Sequence, residues 1–540
     1  MDWSSVRLTF LLIFVGAAAM AEVNRYMVFF RDKTGTIYST ALPNEFLSQR
    51  AIDRRIQQGI LITDQDFPVN ASYVQGISGV GAEVFYTTRW MNGVLVQCDA
   101  ALVAAIENLP FVERVEFVAP NEKLLSSGRF KSNQKTKGTK SAAKTLAQLQ
   151  LIGLDEMQAS GYKGETIYIG IFDSGFQGVN TTAPFQDIFA TNRIDLEVSK
   201  DFVYNTPDIF QYDEHGTEVF SIIAAYQEGD FTGGAYKANY QLYVTEDVNT
   251  EYRIEEYNWL FAAERADSAG VDVINSSLGY YDFDDAAMNY AKSAMDGKTT
   301  VVSQAAQWAA DRGIVVVCSA GNEGNVAWQI ITAPADAMDV LAVANVNSAG
   351  QRAGSSSIGP SADGRIKPDV AAMGVNTSVI TPNGSTSNVS GTSVSSPLIA
   401  SLVAGLWQRY PGLSNKELME AIRKSASQAN APDDLLGYGI PDFRAVVNYL
   451  EQRPQEKVFE VYPNPILSDT FTIRPFDPNQ ITSCRVELLS SQGQVVYTAE
   501  ANFSWLNRTA TVNLSTVRAG LYYLRIWWGE KRYIYKMIKV

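Results

Sequence analysis

At 540 residues the chain is too long for one domain, and the usual one to two hundred residues per domain suggests roughly three or four units. With 46% hydrophobic and 19% charged residues the composition is globular, which excludes wholesale disorder. The net charge of -14 excludes nucleic acid as a main partner, because phosphate binding needs a basic surface; a solvated acidic exterior accounts for it.

The chain opens on an export signal over residues 1–21. Arg7 gives a positive start, Leu8 to Phe14 begins an apolar core, and Ala19-Met20-Ala21 offers small residues for cleavage after Ala21. The apolar run is short for a membrane span, so cleavage is expected rather than anchoring. Residues 22–125 then predict a small α+β unit. Its strands are Arg25–Phe30, Ala82–Thr87, Gly93–Cys98 and Val112–Val118, with helical stretches at Phe46–Gln58 and Ala101–Leu109.

Residues 126–145 form a basic linker, with six Lys or Arg between Arg129 and Lys144. Such a run is a solvated connector, and extended backbone between folded units is also where a protease can cut. From 146 to 450, short β-branched strands alternate with helices. The strands are Thr166–Phe172, Tyr240–Val244, Val271–Asn275, Gly313–Ser319 and Val340–Ala344; the helices are Thr217–Ala225, Ile254–Ala269, Thr300–Arg312 and Ser396–Arg409. Near-continuous apolar strands separated by helices predict a buried parallel sheet, with reactive residues at the carboxyl ends of its strands.

A linker at 451–458, containing Pro454, leads to residues 459–540, where short alternating strands predict a small all-β sandwich. Three cysteines, Cys98, Cys318 and Cys484, fall in three different units, so buried free thiols are expected rather than a disulfide framework.

Four clusters in the middle unit carry chemistry. Asp173 ends an apolar strand before Ser174-Gly175, where it is either a turn former or a functional carboxylate. His215-Gly-Thr217 contains the only histidine of the chain: structural, or the single candidate for a proton shuttle near neutral pH. Gly391-Thr-Ser393-Val-Ser-Ser-Pro397 opens a helix, placing Ser393 where free N–H groups favour negative charge. A plain N-cap reads the same way, and Ser390, Ser395 and Ser396 lie in the same cluster, so composition does not select Ser393. Asn322, in Ser319-Ala-Gly-Asn-Glu-Gly324, is either a turn residue or an amide donor to an oxyanion.

In this order, Asp, His, Asn, Ser, the four strings resemble the subtilisin family of serine proteases. The resemblance implies an α/β fold: a subtilisin-like parallel sheet flanked by helices, preceded by a small α+β propeptide and followed by a small all-β sandwich. It implies Ser393 as nucleophile, His215 as general base, Asp173 as its orienting carboxylate, and Asn322 with the Ser393 N–H as oxyanion hole. It also implies that Ser277, Leu278 and Gly279 form one wall of the substrate cleft, and Ser319, Ala320 and Gly321 the other. Polypeptide substrates would add as a β-strand, over a pocket base near Thr332-Ala-Pro334 that departs from the family's commonest spelling. No cofactor is required for the chemistry. Many family members bind Ca2+, but the acidic run Tyr280–Asp285 matches no complete calcium loop, and no residue is assigned to a metal.

Residues 22–125 resemble the inhibitory propeptides of the same family, on their strand pattern and Trp90-Met-Asn-Gly93-Val, which implies an intramolecular inhibitor. Residues 459–540 resemble the C-terminal sorting domains of type IX secretion, on Tyr462-Pro-Asn-Pro465, Gly520–Ile526 and the basic last strand. That resemblance implies the outer-membrane secretion machinery of a Gram-negative bacterium as partner and a secreted or cell-surface location; an accessory sandwich binding carbohydrate is the alternative. For the whole chain the alternative is a catalytically inactive surface binding protein of the same fold.

Overall fold

The computed structural model describes residues 23–120, 145–452, 458–476, 481–503, 508–529 and 531–540. The expected signal at 1–21 and nearly all of the basic linker lie outside the described residues.

The first unit is a four-stranded antiparallel sheet of β1 (Val23–Phe30), β2 (Glu83–Thr88), β3 (Gly93–Asp99) and β4 (Val112–Pro120), in the order β2-β3-β1-β4. Successive side chains of a strand point to opposite faces, and β1 uses both. Tyr26, Val28 and Phe30 fill the unit's own core with Val94, Val96 and Ile106. Met27 and Phe29 point the other way and pack against the second unit, among Tyr257 and Phe261. Helix α1 (Gln49–Gln58) begins at Ser48, whose hydroxyl accepts from Ala51 N at 3.2 Å. It starts three residues later than the charged stretch alone suggested.

The second unit holds a seven-stranded parallel sheet of β5 (Tyr168–Asp173), β6 (Lys200–Asp201), β7 (Asn239–Val244), β8 (Val273–Ser276), β9 (Val315–Ser319), β10 (Val340–Val346) and β11 (Val370–Met373). Its order is β11-β10-β9-β8-β5-β7-β6. Helices α2 (His215–Ala224), α3 (Ile254–Ala269), α4 (Val301–Asp311) and α5 (Ser396–Arg409) cover it. Strand β9 is buried throughout, and its alternate residues feed two cores. Val315 and Val317 meet Leu398 and Leu402 of α5, while Val316 and Cys318 meet Leu260 of α3 and Ala305 of α4. Burial on both faces is why these strands read as unbroken apolar runs. Strand β11 was not expected: four residues between Pro368 and Gly374 carry no periodicity.

The chain enters this sheet at β5, builds β6 and β7 on one side, then crosses to β8 through β11 on the other. The crevice at the carboxyl ends of the strands beside such a reversal is where α/β sheets bind ligands. Asp173 closes β5, and Ser276 closes the neighbouring β8.

The third unit packs β12 (Phe459–Tyr462), β13 (Thr470–Pro475) and β16 (Ala510–Asn513) against β14 (Ser483–Ser490), β15 (Val495–Asn502), β17 (Gly520–Trp528) and β18 (Lys531–Lys539). Phe459, Ile473, Val486, Leu488, Leu524 and Ile526 fill the space between the two sheets. All three cysteines are buried free thiols. No helix among the described residues is long and apolar enough to cross a membrane.

Candidate active site

Asp173 is fully buried at the end of β5. Its Oδ1 accepts from Ser174 N at 2.8 Å, and lies 2.7 Å from Nδ1 of His215. His215 is the first residue of α2, two residues ahead of the expected start, so the helix itself fixes the ring beside the carboxylate. Two glycines permit this approach. A Cβ on Gly216 would run into Gly175 O and stand 3.0 Å from Asp173 Cβ. Because a carboxylate only accepts, Nδ1 carries the hydrogen, so in the neutral ring Nε2 is the acceptor on the opposite side. Burial opposes a charged imidazolium, but the Asp173 carboxylate, its hydrogen bond, and the nearby charges of Asp213 and Glu218 outweigh that, lifting His215 from 6.5 to about 9. The His215 side chain keeps 22% of its surface exposed.

Ser393 sits in the short 3-10 turn Thr392–Val394 that leads into α5 and is 4% exposed. Its hydroxyl has no hydrogen-bond partner among the described residues. The turn is held instead through its backbone. Ser277 Oγ donates to Ser393 O at 2.8 Å, Asn275 Nδ2 donates to Ser277 Oγ at 3.1 Å, and Ser396 Oγ donates to Asn275 Oδ1 at 2.7 Å. This buried relay joins β8, the expected substrate wall at Ser277 and the start of α5. Sequence reasoning did not single out Asn275; an Asn inside the apolar run Val273–Ser276 was the available signal.

Asn322 follows β9 on the same edge of the sheet. Its Oδ1 accepts from Thr392 N at 2.9 Å and Thr392 Oγ1 at 3.1 Å. A backbone N–H can only donate, so the carboxamide orientation is fixed. The Nδ2 end is the donor end of the same amide, and Thr392 immediately precedes Ser393. The two expected walls also meet: Ser319 Oγ donates to Leu278 O at 3.2 Å. Gly279 and Gly321 flank Thr332, whose side chain a Cβ on either glycine would crowd.

Among the described residues, the carboxylates placed to share a cation are Glu246, Glu251 and Glu255, with oxygens within 4.8 Å of one another. The Tyr280–Asp285 run supplies none of them. Its Tyr280 hydroxyl instead donates to Glu246 Oε1. Three carboxylates are only part of the roughly six to eight oxygens that Ca2+ takes.

The first unit is bonded to the second through buried polar groups. Glu264 of α3 accepts from Arg89 N at 2.9 Å and Trp90 N at 3.1 Å. Gln58 Nε2 donates to Gly313 O at 2.8 Å, and its Oε1 accepts from Asn415 N at 2.9 Å.

Three family models match the chain: the subtilase family over residues 164–439, the peptidase S8 propeptide domain of Bacteroidota over 25–138, and the secretion system C-terminal sorting domain over 460–540. Subtilisin DY of Bacillus licheniformis is 30% identical over 284 residues, covering 52% of this chain and 90% of the relative. The subtilisin of Bacillus pumilus is 28% identical over 278 residues, covering 50% and 87%. Among solved structures, the epidermin leader peptide processing serine protease of Staphylococcus aureus shares the fold, with a TM-score of 0.54 at 15% identity over 80% of this chain and 100% of that one. The chain therefore belongs to the subtilase family of serine proteases, with a Bacteroidota propeptide domain before the catalytic unit and a secretion-system sorting domain after it.

Proposed function

We propose that this subtilase is an exported endopeptidase, made as a self-processing zymogen, that hydrolyses peptide bonds through Ser393, His215 and Asp173. The observation that carries this reading is the 2.7 Å contact between Asp173 Oδ1 and His215 Nδ1 at the switch point of the sheet. Ser393 Oγ attacks the peptide carbonyl while His215 Nε2 takes its proton. The C–N bond then breaks as the imidazolium returns that proton to the leaving amine. Water, deprotonated by His215, releases the acyl group from Ser393. Asp173 holds the imidazole tautomer and stabilises its charged form. Asn322 Nδ2 and Ser393 N donate to the oxyanion; loss of one such donor costs roughly 2.7–4 kcal/mol, a value measured on a subtilisin.

Ser393 Oγ makes no bond to His215 in this state, and catalytic hydrogen bonds commonly close only when substrate is bound. The unpaired hydroxyl is also the one observation favouring the competing reading, a catalytically inactive binding protein. Covalent labelling by a fluorophosphonate separates the two. Labelling of wild type that disappears in Ser393→Ala supports the enzyme, and the same variant should remain uncut between Leu125 and Lys144. Absence of labelling in the processed wild type overturns the proposal.

The first unit acts as the intramolecular inhibitor, supported by its family match and by its buried bonds to α3. The last unit addresses the chain to the outer-membrane secretion machinery, supported by the sorting-domain match, with passage through the periplasm to the surface or the medium.

A further inference from the structure

We propose that Asn345 is a positioning residue for the nucleophile: its carboxamide bonds the two ends of the Gly391–Ser395 turn when substrate loads the site, and so fixes where Ser393 stands. This rests on Ser393 being the nucleophile.

Asn345 is the next-to-last residue of β10, the one polar residue in that strand, and pairs with Ala372 of β11. Its backbone is fully engaged. The N–H donates to Ser356 Oγ at 3.0 Å, and the carbonyl accepts from Ala353 N at 2.9 Å. The side chain is not engaged. It is fully buried, and neither Oδ1 nor Nδ2 has a hydrogen-bond partner among the described residues. A buried amide left unpaired at both ends is destabilising, and a small apolar residue would avoid that cost. The resting protein therefore gains nothing from asparagine here.

The nucleophile turn stands beside it. Gly374, directly after β11, lies so close that a Cβ there would run into Ser395 Oγ and stand 2.5 Å from both Asn345 Oδ1 and Gly391 O. Three oxygens from three segments thus converge on one face of Gly374. Gly374 O also accepts from Gly391 N at 2.8 Å, which ties the start of the turn to this point. The Ser395 hydroxyl is held only by a 3.5 Å contact to Gly391 O, longer than an effective O–H···O bond. A half-turn of the Asn345 carboxamide presents Nδ2, a donor, to the Gly391 carbonyl and the Ser395 hydroxyl, both of which can accept.

These two groups bracket Ser393, two residues before it and two after. The middle of the turn is already held, by Ser277 at Ser393 O and by Asn322 at Thr392. Its ends are what Asn345 would fasten. The Ser393 hydroxyl is itself buried without a partner. The resting site thus keeps two unmade hydrogen bonds close together, and one adjustment of the turn satisfies both. Unsatisfied groups kept beside reacting atoms are a recognised form of strain stored for function.

The experiment prepares processed wild type, Asn345→Ala and Ser395→Ala from the full-length chain and counts working sites by fluorophosphonate titration. It then measures kcat and KM per titrated site on one peptide substrate. Asn345→Ala should lower kcat by about ten- to a hundredfold with KM little changed, as misplacement of a reacting group does. Ser395→Ala, which removes one acceptor without touching β10, should lower it in the same direction by a smaller factor. Thermal unfolding in the uncut Ser393→Ala precursor should show that adding Asn345→Ala leaves the midpoint unchanged or raises it, because an unpaired amide is removed. A side chain with a purely structural role would do the reverse, lowering the midpoint and leaving kcat per site intact. An unchanged kcat per titrated site in either variant overturns the proposal. Wild type that takes no label removes the nucleophile assignment and this role together; labelled wild type with unaffected variants removes the role of Asn345 alone.

Discussion

Arg55 of α1 donates to Asp267 of α3 at 2.8 Å, and neither side chain exposes any surface. Arg54 reaches the other oxygen of the same carboxylate, while Asp66 binds both Arg55 at 3.3 Å and Arg312 at 2.9 Å. The propeptide and the catalytic unit thus share a charge network whose side chains are all buried. Burial alone would raise the Asp267 carboxyl, but Arg55 and Arg54 outweigh it and hold it at about 2 against an ordinary 3.8.

A depressed carboxyl stabilises the state in which it is ionised, so this contribution is complete above pH 3.8 and is lost as pH falls towards 2. In the uncut Ser393→Ala precursor, the association of the two units should hold down to about pH 4 and weaken below it. Arg55→Ala leaves Asp267 with one of its two arginines and should destabilise the precursor by about 3–5 kcal/mol, as removal of one buried partner does. Thermal unfolding across a pH series measures both effects.

His215 sets the opposite trend. In its proposed role as base, His215 must be neutral to accept the Ser393 proton, and a group lifted to about 9 stays charged through neutral pH. The kcat/KM should therefore rise with pH and reach half its maximum near 9, giving an alkaline protease. The attraction between His215 and Asp173 contributes stability that is complete below 6.5 and is lost as pH rises through about 9. Activity and this stability term cross over in the same window. A pH–rate profile with its acid limb near 6.5 would contradict the strong coupling to Asp173.

Asn322→Ala removes the amide donor and also the acceptor of the two Thr392 bonds. With Asn322 as the proposed oxyanion donor, the expected loss is about a hundred- to a thousandfold in kcat with KM little changed, because such a bond exists only in the transition state. Steady-state kinetics on a single peptide substrate suffices. A rise in KM at constant kcat would place Asn322 in substrate binding instead.

Deleting residues 459–540 should leave a folded catalytic unit that accumulates in the periplasm, because the third unit has its own core. Fractionation of cells with an activity assay on each fraction tests this. Unchanged appearance at the surface or in the medium would remove the sorting role.

Much of the fold was legible because parallel strands buried on both faces announce themselves: β9 and β10 are continuous apolar runs. Strand β11 was not legible, being four residues long beside a proline. Asp173, His215, Asn322 and Ser393 stood out through their local strings, which put each at a strand end or a helix start. Their mutual placement is a property of the sheet order, as is the relay from Ser396 through Asn275 and Ser277. Thr332 shows the limit most plainly. Its neighbourhood could be named from the sequence, but that its side chain fills the space left by glycines 53 and 11 positions away could not, since only tertiary packing brings the three together.

Strand β1 hides one face in its own unit and the other against α3. If the linker is cut as proposed and the two units part, Met27, Phe29 and their surroundings would meet water, and Arg55 would lose the carboxylate of Asp267. The departing piece is then less stable than it was in place, and it floats beside a newly active protease. Under the activation proposed above, a copy that unfolds would be open to digestion before it could rebind. Activation on that proposal would run in one direction, with the inhibitor consumed by the enzyme it restrained.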